Sequence, residues 1–204
     1  MPSPTRPLPT SRAAALTGPV YGLDIETDTT VDGLDPLVAR VVAIAISTED
    51  GEHVFDGAEL DILRATDHTL ATLEPGVLVT WYGSGFDLPF LEHRISRHGL
   101  LTGLRVLPAE HDPQARVGSW HRHRHLDAYR VYRNDLPRLL PVSCSLKSVA
   151  RLLGFEPIEV DIERLHELPA NQLRDYVASD ARLGRAAALR RWTTAAPFMD
   201  QLVA

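Results

Sequence analysis

Apolar and polar residues recur along this chain with two periods, one typical of strands and one typical of helices. In the stretch VYGLDIETDTT, Tyr21, Leu23 and Ile25 occupy every second position, which predicts one face of a β-strand. Leucines within residues 58–73 recur at helical spacing instead. On these grounds we predict strands over residues 20–27, 39–48, 51–56 and 76–83, and helices over residues 58–73, 86–99, 125–136, 145–154 and 169–192.

The order of these elements indicates an α/β protein whose mixed sheet is buried by helices on both faces. The polar stretch from Pro108 to Arg124 shows no clear period and is assigned to neither kind of element. Residues 1–17 combine several prolines with no long apolar core, so we interpret them as a flexible tail before a single domain over residues 18–204. Sites in open α/β sheets form beyond the carboxyl ends of strands, which is where the first strand becomes acidic.

Composition narrows the class of protein. A length of 204 residues suits one domain, and a net charge of −6 argues against a polybasic nucleic-acid clamp. Cys144 is the single cysteine, which excludes an internal disulfide and a cysteine-rich metal site. The longest apolar run, VVAIAI from Val41, is too short to cross a bilayer. We therefore expect a cytoplasmic protein without a membrane partner.

Three acidic residues, Asp24, Glu26 and Asp28, follow one another at every second position at the end of the first strand. Strand alternation predicts that their carboxylates share one face. Like charges this close repel each other unless something offsets them. The pattern therefore raises the question of a bound cation.

Two more aspartates lie on elements that lead to the same edge. Asp87 follows Gly83 and Gly85 at the predicted start of a helix, where it either caps the helix or faces a site. Asp180 shares an apolar helical stripe with Tyr176, where it is either a buried ion pair, a cap to another helix or a metal ligand.

Four of these carboxylates, on three separate elements, form the candidate site: Asp24, Glu26, Asp87 and Asp180. Oxygen-only ligands suit hard cations such as Mg²⁺ or Mn²⁺. Two such ions hold a phosphodiester between an attacking water and a leaving oxygen in many nucleases.

The motifs DIET after a strand, FDLP at a helix start and YVASD in a late helix resemble those of the DEDD 3′–5′ exonucleases. The tyrosine four residues before the last aspartate resembles the DEDDy branch. The stretch GSGFDLPFL is similar to the proofreading domain of family B DNA polymerases and its stand-alone relatives. The resemblance spans about residues 18–192 and implies a ribonuclease-H-like fold, with a mixed five-stranded sheet flanked by helices on both faces.

The resemblance also implies a role for each site residue. Asp24 is expected to bridge two divalent cations, Mg²⁺ or Mn²⁺, and Glu26 and Asp180 to complete the site of the ion that binds the attacking water. Asp87 is expected to hold the second ion, largely through water, and Tyr176 to position the nucleophilic water. The implied product is a nucleoside 5′-monophosphate, released from a nucleic acid with a free 3′ end, with single-stranded DNA favoured over RNA.

Contacts to the substrate are less defined by the sequence. Tyr82 stands where many relatives carry an asparagine associated with the substrate. Trp81 either stacks on a terminal base or packs in the core, and Lys147, the chain's only lysine, either contacts phosphate or is solvated. The candidate substrate contacts are Thr27, Trp81, Tyr82, Phe86, Arg122, Arg124 and Lys147.

Alternating histidines at 121, 123 and 125 leave three possibilities open: a transition-metal site, a cleft edge where Arg122 and Arg124 meet phosphates, or a solvated loop or edge strand. A rival to the enzyme is a non-catalytic module that binds nucleic acid or protein and retains the fold. The sequence identifies no polymerase or repair partner.

Overall fold

The computed structural model describes residues 18–109 and 112–200, with only the backbone described for residues 112–115. The expected tail over residues 1–17 lies outside the described residues. Among the described helices, none is both long enough and apolar enough to cross a bilayer.

A mixed sheet of seven strands forms the centre of the described chain, in the order β3-β2-β1-β4-β7-β6-β5. The three central strands β1, β4 and β7 run parallel, and the outer strands pair antiparallel. The α/β fold class is confirmed, whereas the expected count of five strands is wrong. The strands are β1 Val20–Thr27, β2 Val41–Ser47, β3 Glu52–Asp56, β4 Val77–Thr80, β5 Leu104–Ala109, β6 Asp112–Trp120 and β7 His123–Asp127.

The additional strands come from the stretch that showed no period. β5 and β6 pair antiparallel at the edge of the sheet, and the burial along β5 alternates only between half-buried and exposed. A hairpin this open carries little apolar alternation, so its pairing rests on backbone hydrogen bonds that no sequence period records. The helix expected from His125 is likewise wrong in its first turn, because β7 continues to Asp127 and the helix begins at Ala128.

The remaining helices follow the predictions. Ser145 caps its helix by accepting a hydrogen bond from the Ser148 amide, and Gly99 and Gly154 end theirs with φ values of 61° and 84°. The helices are α1 Glu59–Thr72, α2 Asp87–Arg97, α3 Ala128–Arg133, α4 Leu136–Leu139, α5 Leu146–Leu152, α6 Ala170–Arg190 and α7 Trp192–Ala195.

Helix α6 lies closely against β1 and so positions the site. A Cβ added to Gly22 would lie 2.0 Å from the carbonyl oxygen of Ala181, a distance that only glycine permits. Helices α1 and α2 pack on the opposite face, where the side chains of Leu23 and Ile25 point. Because strand residues alternate between faces, Asp24 and Glu26 share the face of Gly22 and meet α6.

Candidate active site

Three carboxylates converge where the carboxyl end of β1 meets α6. One oxygen each from Asp24, Glu26 and Asp180 lies within 4.8 Å of the other two. Asp24 and Glu26 alternate with buried apolar residues along β1, and Asp180 lies one helical turn after Tyr176 on the buried face of α6. Two simple periods, of two and of about 3.6 residues, therefore bring these three acids together.

Asp28 does not join this cluster, contrary to the alternation that predicted one face for three acids. β1 ends at Thr27, and its pairing with β2 becomes irregular after Glu26. The Asp28 carboxylate instead accepts hydrogen bonds from the Thr30 amide at 3.0 Å and from Nε of Arg40 at 3.1 Å. Asp28 belongs to the loop that follows the strand.

Asp87 is buried at the first residue of α2, and its side chain does not cap the helix. Burial raises the pKa of its carboxyl to about 7, and the charge of Asp127 raises this pKa as well. Asp87 lies outside the group of three, yet its charge raises the pKa of both Asp24 and Glu26. The fourth predicted acid is thus close enough to interact electrostatically with the cluster.

The cluster is electrostatically unfavourable without a cation. Burial raises the pKa of Asp24 well above its ordinary value and that of Glu26 to about 8, and the charge of Asp180 raises both further. Hard divalent cations bind such oxygen ligands, and a cation removes the repulsion among them. The donor set and its charge therefore fit a divalent-metal site.

Lys147 and Tyr176 complete the cluster on the side of α6. The Lys147 ammonium donates a hydrogen bond to Asp180 and lies 4.4 Å from the centroid of the Tyr176 ring. The Tyr176 hydroxyl also shares a hydrogen bond with Asp180, and burial raises the pKa of this phenol far above its usual range. One of the alternatives for Asp180, a buried ion pair, is therefore present within the same cluster as the other acids.

Lys147 lies deeper in the site than the sequence indicated. The sequence pointed to phosphate contact or to solvation, yet the charge of this residue lowers the pKa of both Asp24 and Glu26. The available signal was its position beside Leu146 in a short amphipathic helix, which turns α5 toward α6.

Asp127 fixes the loop between β4 and α2. Its carboxylate accepts from the amides of Tyr82 at 2.9 Å and Ser84 at 3.2 Å. It also accepts from the Tyr129 amide at 3.1 Å, which confirms its predicted place at a helix start. Asp127 thereby holds the loop that leads directly into Asp87.

Of the candidate substrate contacts, Tyr82 is the one that exposes a large aromatic ring. It has a left-handed backbone, with φ of 68°, and its ring lies 5.1 Å from that of Tyr129. Trp81 packs 5.5 Å from the Tyr132 ring and joins a core cluster, which matches the packing alternative. Phe86 packs against Phe90.

Thr27 and the two arginines lie elsewhere. Thr27 is buried, and its hydroxyl donates to the carbonyl oxygen of Gly33 at 2.7 Å. Arg122 precedes β7, and Arg124 is level with Val77 at the start of β4. Because β1, β4 and β7 are parallel, both arginines lie at the edge opposite to the carboxylates.

The three histidines near β7 contact three separate partners. His121 lies 2.9 Å from a carboxylate oxygen of Asp67, and Nε2 of His123 lies 2.7 Å from the carbonyl oxygen of Leu70. His125 lies between Thr80 and Asp200. Over residues 18–109 and 116–200, the acidic cluster is the one group of side chains with metal-binding geometry.

Comparison with known proteins agrees with this fold. The family model of the RNase_H superfamily matches residues 22–166, and the chain belongs to that superfamily. One of the DNA polymerase epsilon catalytic subunits of Arabidopsis thaliana is 30% identical over 172 residues, which cover 74% of this chain. The DNA polymerase epsilon of Schizosaccharomyces pombe shows the same identity over the same length of its catalytic chain. The match spans only 8% of each of these two polymerase chains.

A solved structure shows the same architecture. The family B DNA polymerase from the hyperthermophilic archaeon Pyrobaculum calidifontis superposes with a TM-score of 0.72 and 20% identity. The superposition covers 86% of this chain and 24% of that polymerase. Together with the family membership, these similarities support a nuclease.

Proposed function

We propose that residues 18–204 form a 3′–5′ exonuclease domain of the DEDDy type that releases nucleoside 5′-monophosphates. The observation that carries the proposal is the convergence of Asp24, Glu26 and Asp180, with one oxygen of each within 4.8 Å of the others. Such a cluster costs folding free energy unless a cation binds it, so a module that only binds nucleic acid gains nothing from it.

The carboxylates provide the ligands for two divalent cations, Mg²⁺ or Mn²⁺. Asp24 would contact both ions, Glu26 and Asp180 would complete one site, and Asp87 would hold the other. When bound, these ions lower the pKa of water and neutralise charge on a phosphodiester.

Tyr176 would orient the attacking water through its hydroxyl, which already contacts Asp180. Its raised pKa keeps the phenol protonated near neutral pH, so it serves as a hydrogen-bonding group rather than as a base. Lys147, beside the same carboxylate, would meet the scissile phosphate. Tyr82, whose ring is exposed, would contact the terminal nucleotides.

Single-stranded DNA is the favoured substrate over RNA, because the relatives named above are DNA polymerases. A polymerase or a repair factor would be the natural class of partner for such a domain.

The deciding experiment is digestion of single-stranded DNA, duplex DNA and RNA, each labelled at its 5′ end. We expect a descending ladder with Mg²⁺ or Mn²⁺ and no turnover in excess chelator. Asp24→Ala should abolish the ladder, whereas Asp61→Ala, which removes an exposed acid on α1, should leave it unchanged. Full activity in chelator would contradict the metal site, and a labelled mononucleotide as the first product would reverse the polarity. Binding without cleavage would establish the non-catalytic alternative.

A further inference from the structure

A chain of buried hydrogen bonds connects the last described residue to the loop that carries Asp87. The side chain of Asp200 is fully buried, and its Oδ2 accepts from Nδ1 of His125 at 2.6 Å and from the Gly118 amide at 2.9 Å. Its other oxygen accepts from Nη1 of Arg130 at 3.1 Å. Three donors therefore hold Asp200 against the sheet, although it lies after the last helix in sequence.

His125 continues the chain toward Thr80. Its Nε2 lies 2.8 Å from the Thr80 hydroxyl, and both side chains are almost completely buried. Because a carboxylate only accepts hydrogen bonds, Nδ1 of His125 carries the proton it donates to Asp200. In the neutral imidazole this leaves Nε2 as an acceptor for the Thr80 hydroxyl, so Asp200 fixes the orientation of the ring.

Thr80 ends β4 and holds the following turn. Its hydroxyl oxygen accepts from the Gly83 amide at 3.1 Å, and a Cβ added to Gly83 would lie 2.0 Å from that oxygen. The carbonyl oxygen of Gly83 in turn accepts from the Leu88 amide at 2.9 Å, in the first turn of α2. Asp87 is therefore held between a turn fixed by Thr80 and a helix start fixed by the same turn.

We propose that Thr80, His125 and Asp200 are positioning residues for Asp87, and that this buried chain sets the affinity of the site for its second divalent ion. The inference rests on the proposed function, because it takes Asp87 as the carboxylate that holds that ion. In metal sites, groups that orient a ligand from behind typically change metal affinity or activity by about 10- to 100-fold when removed. The chain consumes all the polar atoms involved, so its members have no freedom to act on substrate directly.

The test replaces the hydroxyl in the middle of the chain. Thr80→Val keeps the shape of the side chain and removes the group that joins His125 to Gly83, whereas Thr80→Ser retains it. Thr66→Val is the matched control, because Thr66 is also fully buried and its hydroxyl has no partner. Circular dichroism and thermal melts of all three variants establish that they fold.

The main measurement is equilibrium binding of Mn²⁺, followed by electron paramagnetic resonance of the free ion, which needs no turnover. We expect Thr80→Val to weaken the weaker of two Mn²⁺ sites by about 10- to 100-fold, with Thr80→Ser and Thr66→Val within about twofold of wild type. Single-turnover cleavage should then need correspondingly more Mn²⁺ for half-maximal rate and recover at saturating Mn²⁺. A merely structural role would lower the melting temperature without moving either Mn²⁺ dependence.

Wild-type Mn²⁺ binding by folded Thr80→Val overturns the inference, as does an equal loss in Thr80→Ser. If Thr80→Val does not fold, Asp200→Asn applies the same test from the far end of the chain. Failure of the proposed function looks different, because the wild-type protein itself would then bind fewer than two Mn²⁺ ions or cleave nothing.

Discussion

The ammonium group of Lys147 contacts the carboxylate of Asp180, although the two residues lie on different helices, α5 and α6. This contact supplies a positive charge within the acidic cluster. Burial raises the pKa of Asp180, and Lys147 opposes that rise, as it does for Asp24 and Glu26. The cluster is thus partly neutralised by the protein itself.

Lys147→Met should destabilise the metal-free protein at pH 8, because it keeps the packing of the side chain and leaves the acids without their cation. A loss of about 1–3 kcal/mol in the free energy of unfolding is expected for a charged hydrogen bond at such a site. Denaturant unfolding in chelator measures it. Arg151→Met removes an exposed ion pair with Glu159 on the same helix and should cost little. Equal losses in the two variants would contradict the role of Lys147.

Asp24→Ala should have the opposite effect on stability. Removing this carboxylate relieves repulsion with three neighbouring acids, so the metal-free protein should melt a few degrees higher, about 2–4 °C for each kcal/mol gained. The same variant should lose all hydrolysis. Calorimetry in chelator is the measurement, and a lower melting temperature with an intact circular dichroism spectrum would show that the acids do not repel one another.

The stability of the metal-free protein should fall as the pH rises. The pKa of Glu26 is about 8 and that of Asp87 about 7 in the folded protein, against ordinary values of 4.5 and 3.8. The folded chain therefore binds more protons than the unfolded chain, and the stability gained from them is lost as the pH passes through 7 and 8. Denaturant unfolding in chelator between pH 6 and pH 9 tests this. Glu26→Gln should flatten the profile, and an unchanged slope would refute the assignment.

Tyr176→Phe and Asp180→Asn should separate water positioning from metal binding. Asp180→Asn is expected to weaken metal binding and nearly eliminate cleavage at any accessible metal concentration. Tyr176→Phe keeps the ring and removes the hydroxyl, so the rate should fall by roughly 10- to 1,000-fold while metal affinity changes little. Metal titrations of the single-turnover rate distinguish the two. Wild-type cleavage by Tyr176→Phe would reduce Tyr176 to a core aromatic.

Gly22→Ala should displace α6 and with it Tyr176 and Asp180. The added methyl group would meet the Ala181 backbone at 2.0 Å, and overpacking of this kind typically costs about 1–3 kcal/mol. Gly184→Ala on α6 is the control, since nothing lies within 4 Å of its added Cβ and alanine favours helix. Thermal melts should therefore move in opposite directions. A stable, fully active Gly22→Ala would show that the close approach of α6 is dispensable.

Local periodicity was sufficient to predict most of the site. The alternation of β1 placed Asp24 and Glu26 on one face, and helical spacing placed Tyr176 and Asp180 on one stripe of α6. Both periods are properties of the backbone and need no knowledge of neighbouring elements. The α/β class, the long last helix and the ends of α2 and α5 followed from the same local chemistry of apolar spacing, serine and glycine.

The tertiary structure decided what depends on contacts between distant segments. Asp28 leaves the face of its neighbours because β1 stops at Thr27, and the open hairpin of β5 and β6 pairs through backbone groups that no side-chain period reveals. Lys147 meets Asp180 and His125 meets Asp200 only because separate elements pack side by side. Sequence determined which face each residue takes on its own element, whereas packing determined which charges oppose one another across elements.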